Sequence, residues 1–153
     1  MRVPESALAL ARSGDAPAIA ELSRVLIEAG LAWSWVPRRV AASIRHPETN
    51  VLVARDGARI AGFGIMRYGD EEAHLDLFAV DRDDRGRGLG RRLLEWLERP
   101  ARAAGLARIV LEVRASNTGA QAFYQRLGYR TRARWPGYYQ GREAALRLER
   151  SLR

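Results

Sequence analysis

A chain of 153 residues, 47% hydrophobic and 29% charged, is long enough for one domain with a real core, and no repeat or low-complexity tract divides it. Its formal charge of +8 arises from 26 basic residues, all arginine, against 18 acidic ones; the acids are interleaved nearly everywhere, which favours small anionic ligands over nucleic acid. The absence of cysteine excludes disulfides, thiolate metal sites and a cysteine nucleophile, and two histidines, His46 and His74, are too few for a histidine-based metal site.

Near the start only Ala7-Leu-Ala-Leu-Ala11 is apolar, shorter than the core of a signal peptide, and no stretch approaches the ~18 apolar residues of a membrane span. The expectation is a cytoplasmic single-domain protein over residues 1–153, a monomer or homodimer, with no metal and no membrane.

Glu5 to Arg12 reads as a first strand. Asp15 and Pro17 open a helix whose Ile19, Leu22 and Leu26 share one face before Gly30 ends it, and a second short helix starts near Pro37. The loop between them, Leu31-Ala-Trp-Ser-Trp-Val36, carries Trp33 and Trp35, which either cap the core or contact a substrate. Val51–Arg55 and Arg59–Arg67 flank Asp56-Gly57, a strong hairpin signal, and a further strand after Asp70-Glu-Glu72 runs to Val80.

From Val80 the chain passes through a charged turn into Arg85-Gly-Arg-Gly-Leu-Gly-Arg91, where a helix begins with Leu89, Leu93, Leu94 and Leu97 at helical spacing. Gly86, Gly88 and Gly90 lack a Cβ, so a ligand can approach the backbone, and the first N–H groups of the helix have no partner within it. Those amides suit a pyrophosphate, with Arg85, Arg87 and Arg91 adding positive charge. The spacing is not the G-x-G-x-x-G of a dinucleotide fold, and a chain without lysine has no P-loop.

Pro100 is expected to break or bend this helix unless it ends near Arg99. Ile109–Val113 then reads as a buried strand parallel to the one ending at Val80, because a strand, helix and strand of this length form a crossover unit. Asn117 can cap a helix through Leu127, with Gly128 as its stop. Tyr129–Ala133 and Ala144–Leu148 are closing strands joined by a loop from Arg134 to Gly141. The fold class is α/β, with a mixed, partly parallel sheet.

Arg85-Gly-Arg-Gly88-Leu-Gly90 closely resembles the acetyl-CoA-binding motif of the GNAT acetyltransferase superfamily. Leu111-Glu-Val-Arg114, Ala115-Ser-Asn117 and Ala122-Phe-Tyr-Gln-Arg-Leu-Gly-Tyr129 follow in the order and spacing of the ribosomal-protein-alanine N-acetyltransferase family. The resemblance covers Leu75 to Leu148; before it only the general superfamily layout is shared. It implies an antiparallel N-terminal meander followed by a parallel strand pair, which splays around acetyl-CoA. The pantetheine arm would lie along Phe78, Ala79 and Val80, the pyrophosphate on Arg85, Gly86, Arg87, Gly88, Leu89, Gly90 and Arg91, and Asn117 and Tyr124 would approach the thiol end.

The resemblance also implies two catalytic residues. Glu112, an acid inside Ile-Val-Leu-Glu-Val, must be buried or face a cleft, and a carboxylate there needs a raised pKa or a partner. A raised pKa suits a general base for an ammonium substrate, acting through water; the alternative is an ion pair with Arg114. Tyr124 would protonate the departing CoA thiolate, the alternative being a core tyrosine beside Leu127. The implied activity is direct N-acetyl transfer to a primary amine, a peptide or protein α-amine ahead of a small-molecule amine, with lysine side chains third. A non-catalytic acyl-CoA-binding module is the other class. Trp33, Trp35, Tyr138 and Tyr139 are expected to border the acceptor entrance.

Overall fold

The computed structural model describes residues 7–153. Its elements follow in the order β1 (Ala7–Leu10), α1 (Ala16–Leu26), α2 (Pro37–Arg45), β2 (Thr49–Asp56), β3 (Arg59–Tyr68), β4 (Glu72–Val80), α3 (Leu89–Ala103), β5 (Arg108–Arg114), α4 (Thr118–Arg126), β6 (Arg130–Tyr139) and β7 (Glu143–Ser151). The seven strands form one sheet in the order β1-β2-β3-β4-β5-β7-β6. Only β4 and β5 pair in parallel, joined by the crossover through α3.

Alternating side chains give the sheet two apolar faces. One carries Leu52, Met66, Leu75 and Leu111 and is covered by Leu93 and Leu97 of α3 and Tyr124 of α4. The other carries Val51, Phe63, Ile65 and Leu77 and is covered by Ile19 of α1 and Val40 of α2. Each such fully buried aliphatic or aromatic side chain contributes about 1.5–3 kcal/mol relative to exposure.

The β4–β5 ladder is short. It runs from Glu72↔Arg108 to Leu75↔Leu111 and stops. Beyond that point β4 keeps its partner β3 as far as Val80, and β5 keeps β7 as far as Arg114. The β3–β4 register slips at the same place, since Met66 faces Leu75 while Ile65 faces Leu77, leaving Asp76 as an extra residue. A bulge of this kind bends its strand, and here it coincides with the opening of the sheet between β4 and β5.

Three elements depart from the sequence reading. Strand β1 begins at Ala7, and Glu5 and Ser6 lie outside the described residues. The break at Pro100 is absent: α3 continues to Ala103, because Pro100 sits in the last turn, where it removes one helical N–H, while Leu97 and Ala101 on either side are fully buried. The loop expected over Arg134–Gly141 is mostly strand, with β6 running to Tyr139 and an irregular register between Trp135 and Tyr139. Pro136 and Gly137 suggested a loop, yet β6 lies at the sheet edge, where a proline removes no required ladder bond.

Candidate active site

A cavity of about 1390 Å³ occupies the opening between β4 and β5 and reaches both faces of the sheet. Phe78, Ala79 and Val80 form one wall; Leu111, Glu112 and Val113 form the other. Neither strand has a ladder partner on this side among the described residues, so backbone groups facing the gap can bond to an extended ligand.

At one end lies the glycine turn. Gly86 and Gly88 have φ of +80° and +78°, a left-handed backbone that other residues adopt at a cost of roughly 1–2 kcal/mol, and a Cβ built on either would meet no atom within 4 Å. Space over the backbone is therefore open, as close approach by a phosphate requires. Gly90 lines the cavity as well, but its Cβ would lie 3.1 Å from the ring of Phe123, so the missing side chain also lets α3 pack closely against α4.

Leu89 and Arg91 also line the cavity, and Arg91 bonds to Glu95 at 2.8 Å. Arg85 donates from Nε to the Val80 carbonyl at 3.0 Å. Arg87 does not line the cavity. Beneath the turn, Arg59 grips Asp84 through two nitrogens at 2.8 and 3.0 Å, which holds that carboxyl below its ordinary pKa.

Glu112 lies on the α1/α2 face, because Leu111 and Val113 beside it belong to the opposite core. Its Oε1 is 2.7 Å from His74 Nε2 and accepts from the Tyr138 hydroxyl at 3.3 Å; its Oε2 accepts from Arg147 Nη1 at 3.0 Å. Burial pushes its pKa up, but the hydrogen bond and charge of His74, together with Arg147, outweigh burial and hold it below the ordinary value. Of the two expectations for a buried acid here, a raised pKa or a partner, the structure supplies partners.

The pairing with Arg114 is overturned. Arg114 Nε instead donates to Glu143 at 2.8 Å, and Glu143, which also accepts from the Ser116 N–H and hydroxyl, is held down at about 2.

His74 is the residue that sequence reasoning missed, having weighed it only as a metal ligand. Its Nδ1 bonds to Asp76, which in turn accepts from Arg67 Nε at 2.7 and 3.0 Å. Burial works against the imidazolium, yet the two flanking carboxylates raise its pKa to about 9. The available signal was the polar pair His74 and Asp76 interrupting an otherwise apolar strand.

Tyr124 sits on the opposite face, 6% exposed, packed among Phe78, Phe123 and Tyr129 at ring separations of 6.2, 5.2 and 5.6 Å. Burial raises its pKa. No buried side-chain polar atom lacks a partner, and this hydroxyl makes no hydrogen bond among the described residues, so the oxygen keeps its access to the cavity. Asn117 lines the same space while its Oδ1 caps α4 from the Ala120 N–H at 3.1 Å.

The rim on the α1/α2 side is stitched across. Gln140, in the left-handed region at φ 57°, exchanges two hydrogen bonds with Ala32, Nε2 to the carbonyl at 3.0 Å and the N–H to Oε1 at 2.9 Å. Arg142 bonds to the Gly30 carbonyl at 3.1 Å and Arg114 to that of Ala29 at 2.7 Å. Trp35, Tyr138 and Tyr139 line the cavity beneath these links. Trp33 does not; its Nε1 donates to the Ala20 carbonyl at 3.2 Å and braces the loop on α1.

Among the described residues, no helix is long and apolar enough to cross a membrane, and no group of three or more His, Cys, Asp or Glu side chains is arranged to hold a metal ion.

Residues 19–129 match the model of the acetyltransferase (GNAT) family. The chain is 36% identical over 118 residues to the [ribosomal protein bS18]-alanine N-acetyltransferase of Escherichia coli strain K12, covering 75% of this chain and 79% of that protein. It is 34% identical over 99 residues to the N-alpha-acetyltransferase RimI of Mycobacterium tuberculosis, 62% of this chain and 61% of that one. The crystal structure of the Escherichia coli ribosomal-protein-S18-alanine enzyme superposes with a TM-score of 0.81 at 29% identity, over 96% of this chain and 94% of the other. With its splayed strands and glycine turn, the chain belongs to the acetyltransferase (GNAT) family, and it is an N-acetyltransferase with acetyl-CoA as its acetyl donor.

Proposed function

We propose that the protein acetylates the α-amine at the N-terminus of a peptide or protein, with Glu112 and Tyr124 handling the protons. The observation that carries this is the passage through the sheet: Glu112 lines it from the α1/α2 face and Tyr124 from the α3/α4 face, on the two sides of one gap. An acetyl thioester held between them would be open to an amine from one side and to a proton donor from the other.

The residues fit that donor. The open backbone at Gly86 and Gly88, the first amides of α3 and the side chains of Arg85 and Arg91 would hold the pyrophosphate, and the unpaired edge from Phe78 to Val80 would hold the pantetheine arm. Acetyl-CoA supplies an activated acetyl group on sulfur. The Glu112 carboxylate, anionic beside His74 and Arg147, orients the acceptor amine and takes its proton as the new C–N bond forms, directly or through water. The Tyr124 hydroxyl gives its proton to the departing sulfur. No covalent bond to the enzyme is needed, and the chain has no cysteine to form one.

The depressed pKa of Glu112 bears on the acceptor. A carboxylate lowered from its ordinary pKa by His74 and Arg147 is a weak base for a lysine ammonium of pKa about 10.4, whereas an α-amine of pKa about 7.7–8.0 is already partly neutral at physiological pH. The Escherichia coli and Mycobacterium tuberculosis relatives, named for ribosomal-protein alanine and N-alpha acetylation, agree with that choice.

The test is release of CoA from acetyl-CoA with short peptides bearing a free N-terminus, against N-blocked lysine peptides, polyamines, amino acids and aminoglycosides. Turnover concentrated on free N-termini is expected. Good turnover of a small amine with none on any peptide would sink the peptide reading.

A further inference from the structure

Arg39 projects from α2 over the same sheet face that carries Glu112, and it lines the same cavity. Its guanidinium carbon lies 3.7 Å from the centroid of the Trp35 ring. Trp35 packs against the core beneath α1 and α2, and its backbone N–H donates to the carboxylate of Glu28 at 3.3 Å. Glu28 is buried and further held by Ser23 and Ser34. A stack of this kind engages the flat face of the guanidinium and leaves its in-plane N–H donors free at the edge.

The carboxylates around it already have donors other than Arg39. Three carboxylates line this part of the cavity, Glu28, Asp76 and Glu112. Glu28 caps the tryptophan loop, Asp76 is taken by Arg67 and His74, and Glu112 by His74 and Arg147. Arg39 pairs with no carboxylate among the described residues, and its contact is the indole. An exposed guanidinium fork at the wall of the pocket that would receive the acceptor, stacked on Trp35 and with no carboxylate partner among the described residues, suits a carboxylate, preferably through two parallel hydrogen bonds.

We propose that Arg39 is the carboxylate subsite of the acceptor pocket, so that the preferred amine belongs to a molecule that also carries a carboxylate. This rests on the reading above that the acceptor amine docks at Glu112. An acidic side chain early in a peptide and the free carboxylate of an amino acid share that chemistry.

The experiment compares matched acceptors with wild type, Arg39→Gln and Arg39→Lys: C-terminally amidated peptides that begin with alanine and carry Glu or Gln at the second or third position, and alanine beside alaninamide. Wild type is expected to favour the acid over its amide partner by about tenfold or more in kcat/KM, mostly through KM. The ratio should fall towards unity in Arg39→Gln and recover in part in Arg39→Lys, which keeps the charge without the flat stack. A preference in the peptide arm identifies an acidic side chain, and one in the alanine arm a free carboxylate. An undiminished ratio in Arg39→Gln, or no preference in either arm of wild type, overturns the subsite. Calorimetric binding of the same pairs reads the preference without turnover; an acid preference in binding with no acetylation would overturn the transfer reading and leave the subsite standing.

Discussion

Nε2 of His74 lies 2.7 Å from Oε1 of Glu112, while its other ring nitrogen bonds to Asp76. An imidazole between two carboxylates is held as the cation, and each carboxylate is held as the anion. Replacing it with glutamine removes that charge and leaves Arg147 and the Tyr138 hydroxyl to oppose burial, so the Glu112 carboxyl should move upward from its value in wild type. In His74→Gln, the acidic limb of kcat/KM for a peptide α-amine should lie at higher pH than in wild type. Activity should drop by roughly tenfold for each unit of pH below that limb. Superimposable pH profiles of the two proteins would show that His74 does not govern Glu112.

The same pair sets a pH dependence of stability. The folded pKa of His74, about 9, lies above its ordinary 6.5, so its contribution is complete below about 6.5 and is lost as pH rises through about 9. Wild type should therefore lose thermal stability across that window, and His74→Gln should lose less. Melting curves recorded at a series of pH values make the comparison; parallel losses would contradict the ion-pair assignment.

Tyr124→Phe and Glu112→Gln separate chemistry from binding. Each should lower kcat by about 10²–10⁴-fold, the usual worth of a positioned proton donor or acceptor, while the Kd for acetyl-CoA stays close to wild type. Tyr124→Phe orphans no partner and keeps the contacts with Phe78 and Tyr129, so its melting temperature should hardly move. Full turnover in both variants would make the two residues structural.

The turn glycines should fail in different ways. Gly88→Val forces a β-branched residue into φ +78° and should abolish acetyl-CoA binding as measured by calorimetry. Gly90→Ala brings a methyl group to 3.1 Å from Phe123, next to Tyr124, and should reduce melting temperature and kcat more than it weakens acetyl-CoA binding. Arg87→Ala, away from the cavity wall, should leave binding within about twofold through long-range charge alone.

Much of this protein is local and was readable as such. The Asp56-Gly57 hairpin, the crossover from β4 through α3 to β5, the Asn117 cap and the glycine turn depend on residues near one another in the chain, where periodicity, turn chemistry and capping act directly. Glu112 and Tyr124 were singled out by motif and spacing, and both line the cavity.

What surrounds them was decided by tertiary structure. His74 and Glu112 are 38 residues apart, Arg147 and Glu112 35, and Gln140 and Ala32 108, so no short pattern marks these contacts. A carboxylate's pKa follows from which charges share its burial, and Ile-Val-Leu-Glu-Val shows the burial without the imidazolium and guanidinium that reverse its effect. Trp33 and Trp35 likewise look alike in sequence, and only the packing of their loop turns one to brace α1 and the other to carry Arg39 at the cavity wall.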